Sequence, residues 1–458
     1  MTSIEDQRAL IKKYDVPVPR YTSYPTMPYW ETENFSLEKW ISAVKRSFNE
    51  SNLTKGISLY IHLPFCESLC TYCACNTRIT KNHKVEADYL RAIFKEWDLY
   101  KKVLGGIPQI RELHLGGGTP TFFSPDNLRS LIRYVLEETA LHEDFEFSFE
   151  GHPNNTTEAH LQTLHELGFR RVSFGVQDLD ERVQKTINRI QPFENLQRVT
   201  NLSRDIGYQS ISYDLIYGLP FQTSASILNT IEKVLTLRPD RVSFYSYAHV
   251  PWIKPGQRGY EDADLPSDLV KRQLYETGRA LLKAEGYEDV GMDHFALRHD
   301  SLYVAQQNGK LHRNFMGYTT SETDLLIGLG ASAISDAKYA YAQNLKKVED
   351  YSAAVANDTF AVFKGHSQTS QDLLLKKCIL EIACEGKIRQ ENLLMVSEER
   401  VLQQLSIMNE EGIISANIDG FQVTEQGRAF VRNICSVFDF RMHDAQLQKH
   451  QTLFSKAI

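Results

Sequence analysis

The sequence predicts an α/β fold: an incomplete, TIM-like (β/α)6 barrel with an N-terminal arm and a mostly helical C-terminal domain. Six apolar segments of strand character are each followed by a helical pattern, and polar or glycine residues stand at their carboxyl ends. Successive β–α units imply parallel strands with right-handed crossovers. Eight units would close a barrel, so six leave it open at one side. A doubly wound open sheet is the alternative, and both folds place their chemistry at the carboxyl ends of the strands.

The elements follow one another in a simple order. Residues 1–50 are predicted to form an extended arm or lid, because Pro17, Pro19 and Pro25 interrupt both helices and strands. The predicted strands cover residues 57–63, 113–115, 145–150, 171–176, 211–216 and 241–247. The domains that we predict are the arm (1–50), the barrel core (51–290), a connection that completes the site (291–364) and a helical C-terminal domain (365–458).

Two helices of the barrel have clear boundaries in the sequence. Apolar residues recur at intervals of three and four from Tyr89 to Leu104, and Gly105 predicts the end of that helix. Ser124 followed by Pro125 predicts the start of the next helix, because serine caps free backbone amides and proline fits the first turn.

Composition excludes several classes of protein. The chain has 458 residues, 42 % hydrophobic and 24 % charged, which is sufficient for a folded core. The net charge of −7 argues against a basic protein that coats nucleic acid. No apolar stretch reaches the roughly 18 residues of a membrane span, and the first residues lack the features of an export signal. We therefore expect a cytoplasmic monomer without nucleic-acid partners.

Four of the seven cysteines, Cys66, Cys70, Cys73 and Cys75, lie close together in the sequence. Without an export signal, such a cluster indicates metal binding or redox chemistry and not a disulfide framework. Thiolates at the first three positions can bind three corners of an iron–sulfur cubane and leave the fourth iron open. Zinc with Cys75 as fourth ligand is an alternative, although structural zinc usually takes its ligands from two knuckles. A redox dithiol at Cys70 and Cys73 is another.

The spacing of Cys66, Cys70 and Cys73, with the aromatic Tyr72 before the third cysteine, resembles the signature of the radical S-adenosylmethionine enzymes. The Gly-Gly-Gly-Thr-Pro segment at 116–120 is similar to the glycine motif with which that superfamily binds the methionine part of its cofactor. Glycines let the backbone approach a ligand closely and offer N–H groups to a carboxylate.

Within that superfamily, the chain resembles the oxygen-independent coproporphyrinogen III oxidases over nearly its whole length. The N-terminal arm, Cys75 and the segment 312–320 are the most specific parts of this resemblance. Two places depart from the family pattern: Met316 stands where some members have glutamine, and Gly151-His152 replaces an apolar–acid pair. Further matching segments are 175–178, 188–189, 214–220, 247–249, 291–296 and 333–335.

The resemblance implies a 4Fe–4S cluster bound by Cys66, Cys70 and Cys73, with S-adenosyl-L-methionine chelated to the open iron. Implied contacts of this first cofactor molecule are Tyr60, Gly117, Glu150 and Ile334. A second cofactor molecule is also implied, with contacts to Tyr72, Gly118, Thr119, Gln177, Arg189, Asp214 and Ala248.

The resemblance also implies a reaction. A 5′-deoxyadenosyl radical would take a β-hydrogen from the ring A and B propionates of coproporphyrinogen III. Loss of carbon dioxide and of one electron would then leave the vinyl groups of protoporphyrinogen IX, in heme biosynthesis. The electron that reduces the cluster and generates the radical would come from a donor such as flavodoxin or ferredoxin. Arg20 and Arg313 are candidate contacts of the anionic tetrapyrrole substrate. The alternatives are a related heme chaperone, a heme-modifying radical enzyme, and a zinc-stabilised binding module without catalysis.

Overall fold

The computed structural model describes residues 4–447 and residue 454, and it confirms the predicted fold class. Each of the six predicted barrel strands is present. The strands are β1 (Ile57–Leu63), β2 (Phe65–Cys66), β3 (Arg78–Ile79), β4 (Gln109–Gly117), β5 (Ala140–Gly151), β6 (Phe169–Gln177), β7 (Ser210–Tyr217), β8 (Arg241–Ser246), β9 (Tyr287–Asp289), β10 (His294–Leu297), β11 (His312–Asn314), β12 (Gly317–Thr319), β13 (Leu326–Leu329), β14 (Ile334–Asp336), β15 (Ala340–Asn344), β16 (Val362–Ser367), β17 (Lys387–Arg389), β18 (Ile414–Asn417) and β19 (Gly420–Val423).

Helices follow most of the barrel strands, as the β–α alternation predicts, and further helices lie in the first 55 residues and beyond the barrel. They are α1 (Ile4–Tyr14), α2 (Leu37–Lys55), α3 (Val85–Leu104), α4 (Pro125–Leu136), α5 (Glu158–Glu166), α6 (Glu181–Thr186), α7 (Phe193–Ile206), α8 (Ser224–Leu237), α9 (Asp268–Ala284), α10 (Ser301–Gln307), α11 (Val348–Ala356), α12 (Ser370–Leu380), α13 (Gln390–Val396), α14 (Glu399–Glu410), α15 (Val431–Ser436) and α16 (Phe440–Leu447). A π-helical turn at Glu381–Glu385 follows α12 directly. Within residues 4–447, no helix combines the length and apolar character that a bilayer crossing requires.

A twelve-stranded sheet forms the body of the molecule, in the order β16-β15-β14-β13-β1-β4-β5-β6-β7-β8-β10-β9. The six predicted strands, β1 and β4 to β8, are neighbours in chain order and run parallel. β13 from the predicted connection adds a seventh parallel strand beside β1. Antiparallel strands extend the sheet beyond β13 and β8. The carboxyl ends of seven strands therefore form one rim.

The barrel strands are buried because helices cover their outer face. Every residue of β1 is buried except the half-buried Tyr60. Helix α3 ends where the sequence predicts, with Gly105 in the left-handed region at φ 66°. Helix α4 begins after Ser124, whose hydroxyl accepts a hydrogen bond from the amide of Asn127 at 3.3 Å. Both predicted helix boundaries are confirmed.

The first 50 residues differ from the predicted extended arm, since they contain α1 and most of α2. Residues 15–26, which contain the three prolines, are non-helical, as their composition predicts, and two short 3-10 turns (Met27–Tyr29 and Thr32–Asn34) precede α2. Helix α2 buries Trp40, Val44 and Phe48, a spacing of four that gives one apolar face. It continues to Lys55 and packs against α3 and β15, so it belongs to the body of the protein.

The proline segment runs between the barrel and the C-terminal domain. The Tyr21 hydroxyl donates to the carboxylate of Asp439 at 3.1 Å. The Arg432 guanidinium donates to the carbonyl of Pro19 at 3.2 Å. The arm thus holds two parts of the chain together.

The C-terminal domain is helical, as predicted, and also contains a three-stranded antiparallel sheet in the order β17-β19-β18. These strands have only three or four residues each. A period-two pattern cannot be recognised over so few positions, which explains why the sequence did not predict them.

Candidate active site

The four clustered cysteines lie just beyond the carboxyl end of β1. Cys66, Cys70 and Cys73 are half-buried, and Cys75 is exposed. All four line a cavity of about 580 Å³ at the rim of the parallel strands. The predicted trio therefore meets at the position where both candidate folds place their chemistry.

The cysteine loop is fastened to the loops that follow β6 and β8. The amide of Thr71 donates to the carbonyl of Ile187 at 3.0 Å, and the Asn188 side chain donates to the carbonyl of Leu69 at 2.7 Å. The ammonium group of Lys254 donates to the carbonyl of Ala74 at 2.6 Å. These anchors fix the loop's backbone and leave the thiols facing the cavity.

The thiols have different environments. Burial raises the pKa of the Cys66 thiol to about 11, against the hydrogen bond it shares with the Thr119 hydroxyl at 3.4 Å. A hydrogen bond from Cys75 lowers the pKa of Cys73 to about 6, and the charges of Lys254 and Arg189 act in the same direction. Thiolates are the form that binds metals.

The glycine motif follows β4 and lies against the start of the cysteine loop. The amide of Gly118 donates to the carbonyl of Leu63 at 2.8 Å. A Cβ atom at Gly118 would lie 2.6 Å from the carbonyl of Pro64, and one at Gly117 would lie 2.7 Å from the ring of His62. Only glycine allows this approach, and Gly117, Gly118 and Thr119 all line the cavity.

Glu150, at the end of β5, lies beside the glycine motif. It accepts from the amide of Gly117 at 3.4 Å and from His114 at 3.5 Å. Burial opposes ionisation, but the hydrogen bond and charge of His114 outweigh it and lower the pKa of Glu150. The cavity therefore contains a negative charge beside backbone amides.

Residues at the ends of β6 and β7 form a further wall of the cysteine cavity. Gln177 has a φ of 65°. A Cβ atom at Gly175 would clash with the side chains of both Gln177 and Arg189, at 2.7 and 2.9 Å. The Asp214 carboxylate accepts from the Ser173 hydroxyl at 3.0 Å. Burial and the charge of Glu150 raise the pKa of Asp214 to about 6.

Three predicted cofactor contacts stand beside the cavity and do not line it. The Tyr60 ring stacks on His114 with centroids 6.0 Å apart, which places it behind Glu150. The carbonyl of Ala248 accepts from Gln257 at 3.2 Å. Ile334 begins β14, two strands away from Tyr60. Tyr72, the other aromatic of this set, lines the cavity itself.

The structure separates the two predicted substrate arginines from the cysteines. Arg20 forms an ion pair with Asp293 at 2.8 Å and lies over the Tyr245 ring at 5.5 Å. Arg313 is buried and donates to the backbone carbonyls of Arg20 and Tyr21 at 3.1 and 3.2 Å. Arg313 therefore holds the arm, and Arg20 faces a wall that the cavity shares through Tyr245.

Sequence reasoning missed His114 and interpreted His62 as a packed histidine. The Nε2–H of His62 donates to the carbonyl of Asn76 at 2.9 Å, so that Nδ1 accepts from the Tyr60 hydroxyl at 3.1 Å. Burial lowers the pKa of His62 and keeps the ring neutral. The signal for His114 was its place on β4, where it pairs with Ser148 of β5, two residues before Glu150.

Comparison with known proteins agrees with this geometry. The family profile of the Radical SAM superfamily matches residues 60–234. The oxygen-independent coproporphyrinogen III oxidase of Helicobacter pylori is 39 % identical over 456 residues, which is 97 % of this chain and 98 % of the relative. The Escherichia coli protein of that name is 37 % identical over 458 residues, 98 % of each chain. The chain belongs to the oxygen-independent coproporphyrinogen III oxidase family.

A solved structure supports the same assignment to this coproporphyrinogen III oxidase family. Coproporphyrinogen III oxidase from Escherichia coli, described as a radical SAM enzyme, has a TM-score of 0.88 to this chain at 36 % identity. The match covers 94 % of this chain and 98 % of that structure. The expected resemblance is therefore confirmed, including the class of enzyme.

The residues of this family member fit an iron–sulfur cluster. Three cysteines face one cavity, and the buried Nε of Arg189 has no hydrogen-bond partner among the described residues. Zinc would require its ligand atoms to converge on one point at about 2.0 to 2.3 Å. No group of three or more His, Cys, Asp or Glu in the described part of the chain has a single-ion arrangement. A cubane, in contrast, is bound at separate corners.

Proposed function

We propose that this chain catalyses the oxygen-independent oxidative decarboxylation of the ring A and B propionates of coproporphyrinogen III, giving protoporphyrinogen IX. The observation that carries the proposal is the cavity in which Cys66, Cys70 and Cys73 face Glu150 and the glycine motif at the carboxyl rim of the barrel. The full-length similarity to coproporphyrinogen III oxidases supports the choice of substrate.

Cys66, Cys70 and Cys73 would hold a 4Fe–4S cluster, and the neighbouring cavity would hold S-adenosyl-L-methionine. Together these groups supply, when bound, a carbon radical that can remove a hydrogen atom from the propionate side chain. The ionised Glu150 offers its carboxylate to the cofactor's ammonium group. Without side chains at Gly117 and Gly118, the cofactor would approach the backbone of the motif closely.

The other wall of the cavity suits a second cofactor molecule. Arg189 places a guanidinium charge at this wall that would attract a carboxylate, and its buried Nε has no hydrogen-bond partner among the described residues. Asp214 accepts ribose hydroxyls, and Tyr72 offers a ring surface. Gln177 would contact the second molecule from this wall. Tyr60 and Ile334 for the first molecule, and Ala248 for the second, would support the site from beside the cavity.

The arm would limit the access of water at the Tyr245 side of the cavity, where Arg20 lies over that ring. Tyr21 and Tyr24 are buried, and Arg313 secures the arm backbone between the barrel and the C-terminal domain. Exclusion of solvent prevents the side reactions of reactive intermediates. A flavodoxin or ferredoxin donates the electron at the exposed side of the cysteine loop. The enzyme acts as a cytoplasmic monomer.

The test is an anaerobic product assay with cluster-loaded protein, coproporphyrinogen III, S-adenosyl-L-methionine and a reducing system. We expect protoporphyrinogen IX from the parent chain and none from Cys70→Ala. Cys378→Ala is the matched control, because this thiol is buried in the C-terminal core, away from the cavity. A ring-opened or methylated heme product, or retained turnover in Cys70→Ala, would contradict the proposal.

A further inference from the structure

His152 stands directly after β5 and lines the cysteine cavity, two residues beyond Glu150. It belongs to one of the two places where the chain departs from the family pattern. Gly151, the last residue of β5, lets the end of this strand pass close to β6, because a Cβ atom there would lie 2.9 Å from the Phe174 ring. The end of the strand therefore places the histidine at the cavity.

The backbone of His152 is held by three hydrogen bonds. Its carbonyl accepts from the amides of Asn155 at 3.0 Å and Thr156 at 2.9 Å, and also from the Thr156 hydroxyl at 2.9 Å. The turn after β5 is thus fixed from within, and the ring stays at the cavity wall.

The two ring nitrogens of His152 have different surroundings. Nδ1 accepts from the backbone amide of Asn154 at 3.1 Å. In a neutral imidazole one nitrogen accepts and the other carries the hydrogen, so the hydrogen lies on Nε2. Among the described residues, Nε2 has no hydrogen-bond partner, and the half-buried ring leaves it accessible from the cavity. The turn therefore uses one nitrogen and leaves a donor over.

The charges around this ring favour an anion. Burial, together with the charge of Arg189, lowers the pKa of His152 to about 3, and no carboxylate of the described residues opposes this shift. The carboxylates of Glu150 and Asp214, in the same cavity, are held by donors of β4 and β6. Glu67 faces an exposed histidine at 3.7 Å. A guanidinium and a neutral N–H donor thus border one part of the cavity.

We propose that the Nε2–H of His152 donates to a carboxylate that Arg189 attracts into the cysteine cavity. The guanidinium supplies the charge, and the histidine supplies a directed hydrogen bond without a second positive charge. The acidic side chain of the family pattern would repel such a group at this position. The inference rests on the proposed function, which brings two sources of a carboxylate to the cavity: the cofactor and a propionate of the substrate.

Two variants separate this binding role from a structural one. His152→Asn keeps an acceptor at the distance of Nδ1, so that the bond from Asn154 survives, but its side chain is too short to reach the position of Nε2. His152→Gln does the reverse, because its amide nitrogen reaches that position. His299→Asn, at an exposed histidine paired with Asp240, is the matched control. Thermal unfolding and iron content show which variants are folded and loaded.

The Kd values of the cluster-loaded enzyme test the inference. Equilibrium dialysis measures the Kd for labelled S-adenosyl-L-methionine, and fluorescence titration measures the Kd for coproporphyrin III, the oxidised form of the substrate. We expect the Kd for one of the two ligands to rise about tenfold in His152→Asn, because a hydrogen bond to a charged group is lost. The affected ligand identifies the source of the carboxylate. His152→Gln and the control should bind both ligands like the parent.

Ligands without a carboxylate complete the test. Decarboxylated S-adenosylmethionine and the tetramethyl ester of coproporphyrin III should not distinguish the parent from His152→Asn, and this comparison decides the question if His152→Gln is unstable. Unchanged Kd values for both carboxylate ligands in His152→Asn would overturn the inference. So would an equal rise in a folded His152→Gln, or an equal loss of affinity for the ligands without a carboxylate.

Failure of this inference and failure of the proposed function give different results. A carboxylate-dependent loss of affinity in His152→Asn, with a parent enzyme that makes no protoporphyrinogen, would refute the proposed function and leave the role of His152 intact. Normal turnover of the parent with unchanged Kd values in His152→Asn would do the reverse.

Discussion

The guanidinium of Arg189 joins the cysteine loop to the barrel: one nitrogen donates to the sulfur of Cys70 at 3.7 Å, and another donates to the carbonyl of Gly175 at 2.6 Å. Burial disfavours the charged guanidinium of Arg189, but electrostatic interactions with the neighbouring Tyr72 and Cys70 outweigh burial and raise its pKa. The residue is therefore a fixed positive charge at the boundary between the thiols and the wall formed by β6 and β7.

Arg189→Gln should weaken binding of S-adenosyl-L-methionine by at least about tenfold at one site, because a fixed positive charge that attracts the cofactor's carboxylate is lost. Iron and sulfide content should remain at the parent level, since the three thiols are untouched. Equilibrium dialysis with labelled cofactor measures the number and affinity of sites. Arg182→Gln, whose guanidinium lies over the Phe221 ring, is the control. Unchanged dialysis curves in Arg189→Gln would refute this role.

Gly118→Ala should destabilise the chain by about 1–3 kcal/mol, because the added methyl group meets the backbone of Pro64 and Phe65 at 2.6 and 2.8 Å. It should also reduce cofactor binding, since the motif must move away from the cysteine loop. Urea unfolding measures the stability. Gly259→Ala is the matched control, because nothing lies within 4 Å of its Cβ position, and equal stabilities of the two variants would contradict the prediction.

Cys75→Ser should keep the full iron content after anaerobic reconstitution, whereas Cys73→Ser should lose most of it. A cubane with an open iron needs only three thiolates, and the hydrogen bond from Cys75 serves to lower the pKa of Cys73. Serine retains a hydroxyl donor at position 75. Iron and sulfide analysis with the visible spectrum gives the answer. Loss of the cluster in Cys75→Ser would show that the fourth cysteine is a ligand.

Because of Glu96, the free energy of unfolding should fall as the pH rises from about 4.5 to about 7. Burial raises the pKa of Glu96 to about 7 in the folded chain, although hydrogen bonds from Tyr351, Gly330 and Asn344 oppose the shift. A carboxyl whose pKa is higher in the folded than in the unfolded chain binds its proton more tightly when folded. Its contribution to the free energy of unfolding is therefore complete below the unfolded pKa and is lost as the pH rises through the folded pKa.

Urea unfolding of the parent and Glu96→Gln across this pH range measures the effect. The stability of the parent relative to the variant should decline by up to roughly 3 kcal/mol between pH 4.5 and 7.5. Glu143→Gln, at an exposed position of β5, controls for general effects of charge. A parent-to-variant difference that is constant with pH, or that grows as the pH rises, would refute the assignment.

Arg313→Gln should loosen the arm. Its guanidinium donates to the carbonyls of Arg20 and Tyr21, and unmade buried hydrogen bonds cost about 1–3 kcal/mol each. Limited proteolysis should then cleave the segment 15–30 faster than in the parent, while the iron content stays the same. Arg258→Gln, an exposed arginine, is the control. Equal cleavage rates would show that contacts other than those of Arg313 hold the arm in place.

Much of the barrel was predictable because local patterns determine it. Ile57 to Leu63 alternate with a period of two, and β1 has these bounds in the structure. Gly105 predicted the end of α3, and Ser124 followed by Pro125 predicted the start of α4. The rule that parallel strands share their active rim brought Glu150, Gln177 and Asp214 to the cysteines, and all three line one cavity.

The contacts that link distant parts of the chain were not predictable. Arg313 was a candidate for the substrate, but its donors meet backbone carbonyls nearly 300 positions away. Helix α2 was missed because the prolines before it outweighed the spacing of Trp40, Val44 and Phe48.

The hydrogen bond between Tyr21 and Asp439 spans 418 positions of the chain. During synthesis the arm gains this partner only after nearly all of the protein has left the ribosome, so its docking is a late folding event. The cysteine loop and the residues that anchor it are all synthesised before Asp439. Among the described residues, none that lines the cysteine cavity belongs to the arm, so the thiols can receive metal both before and after the arm docks.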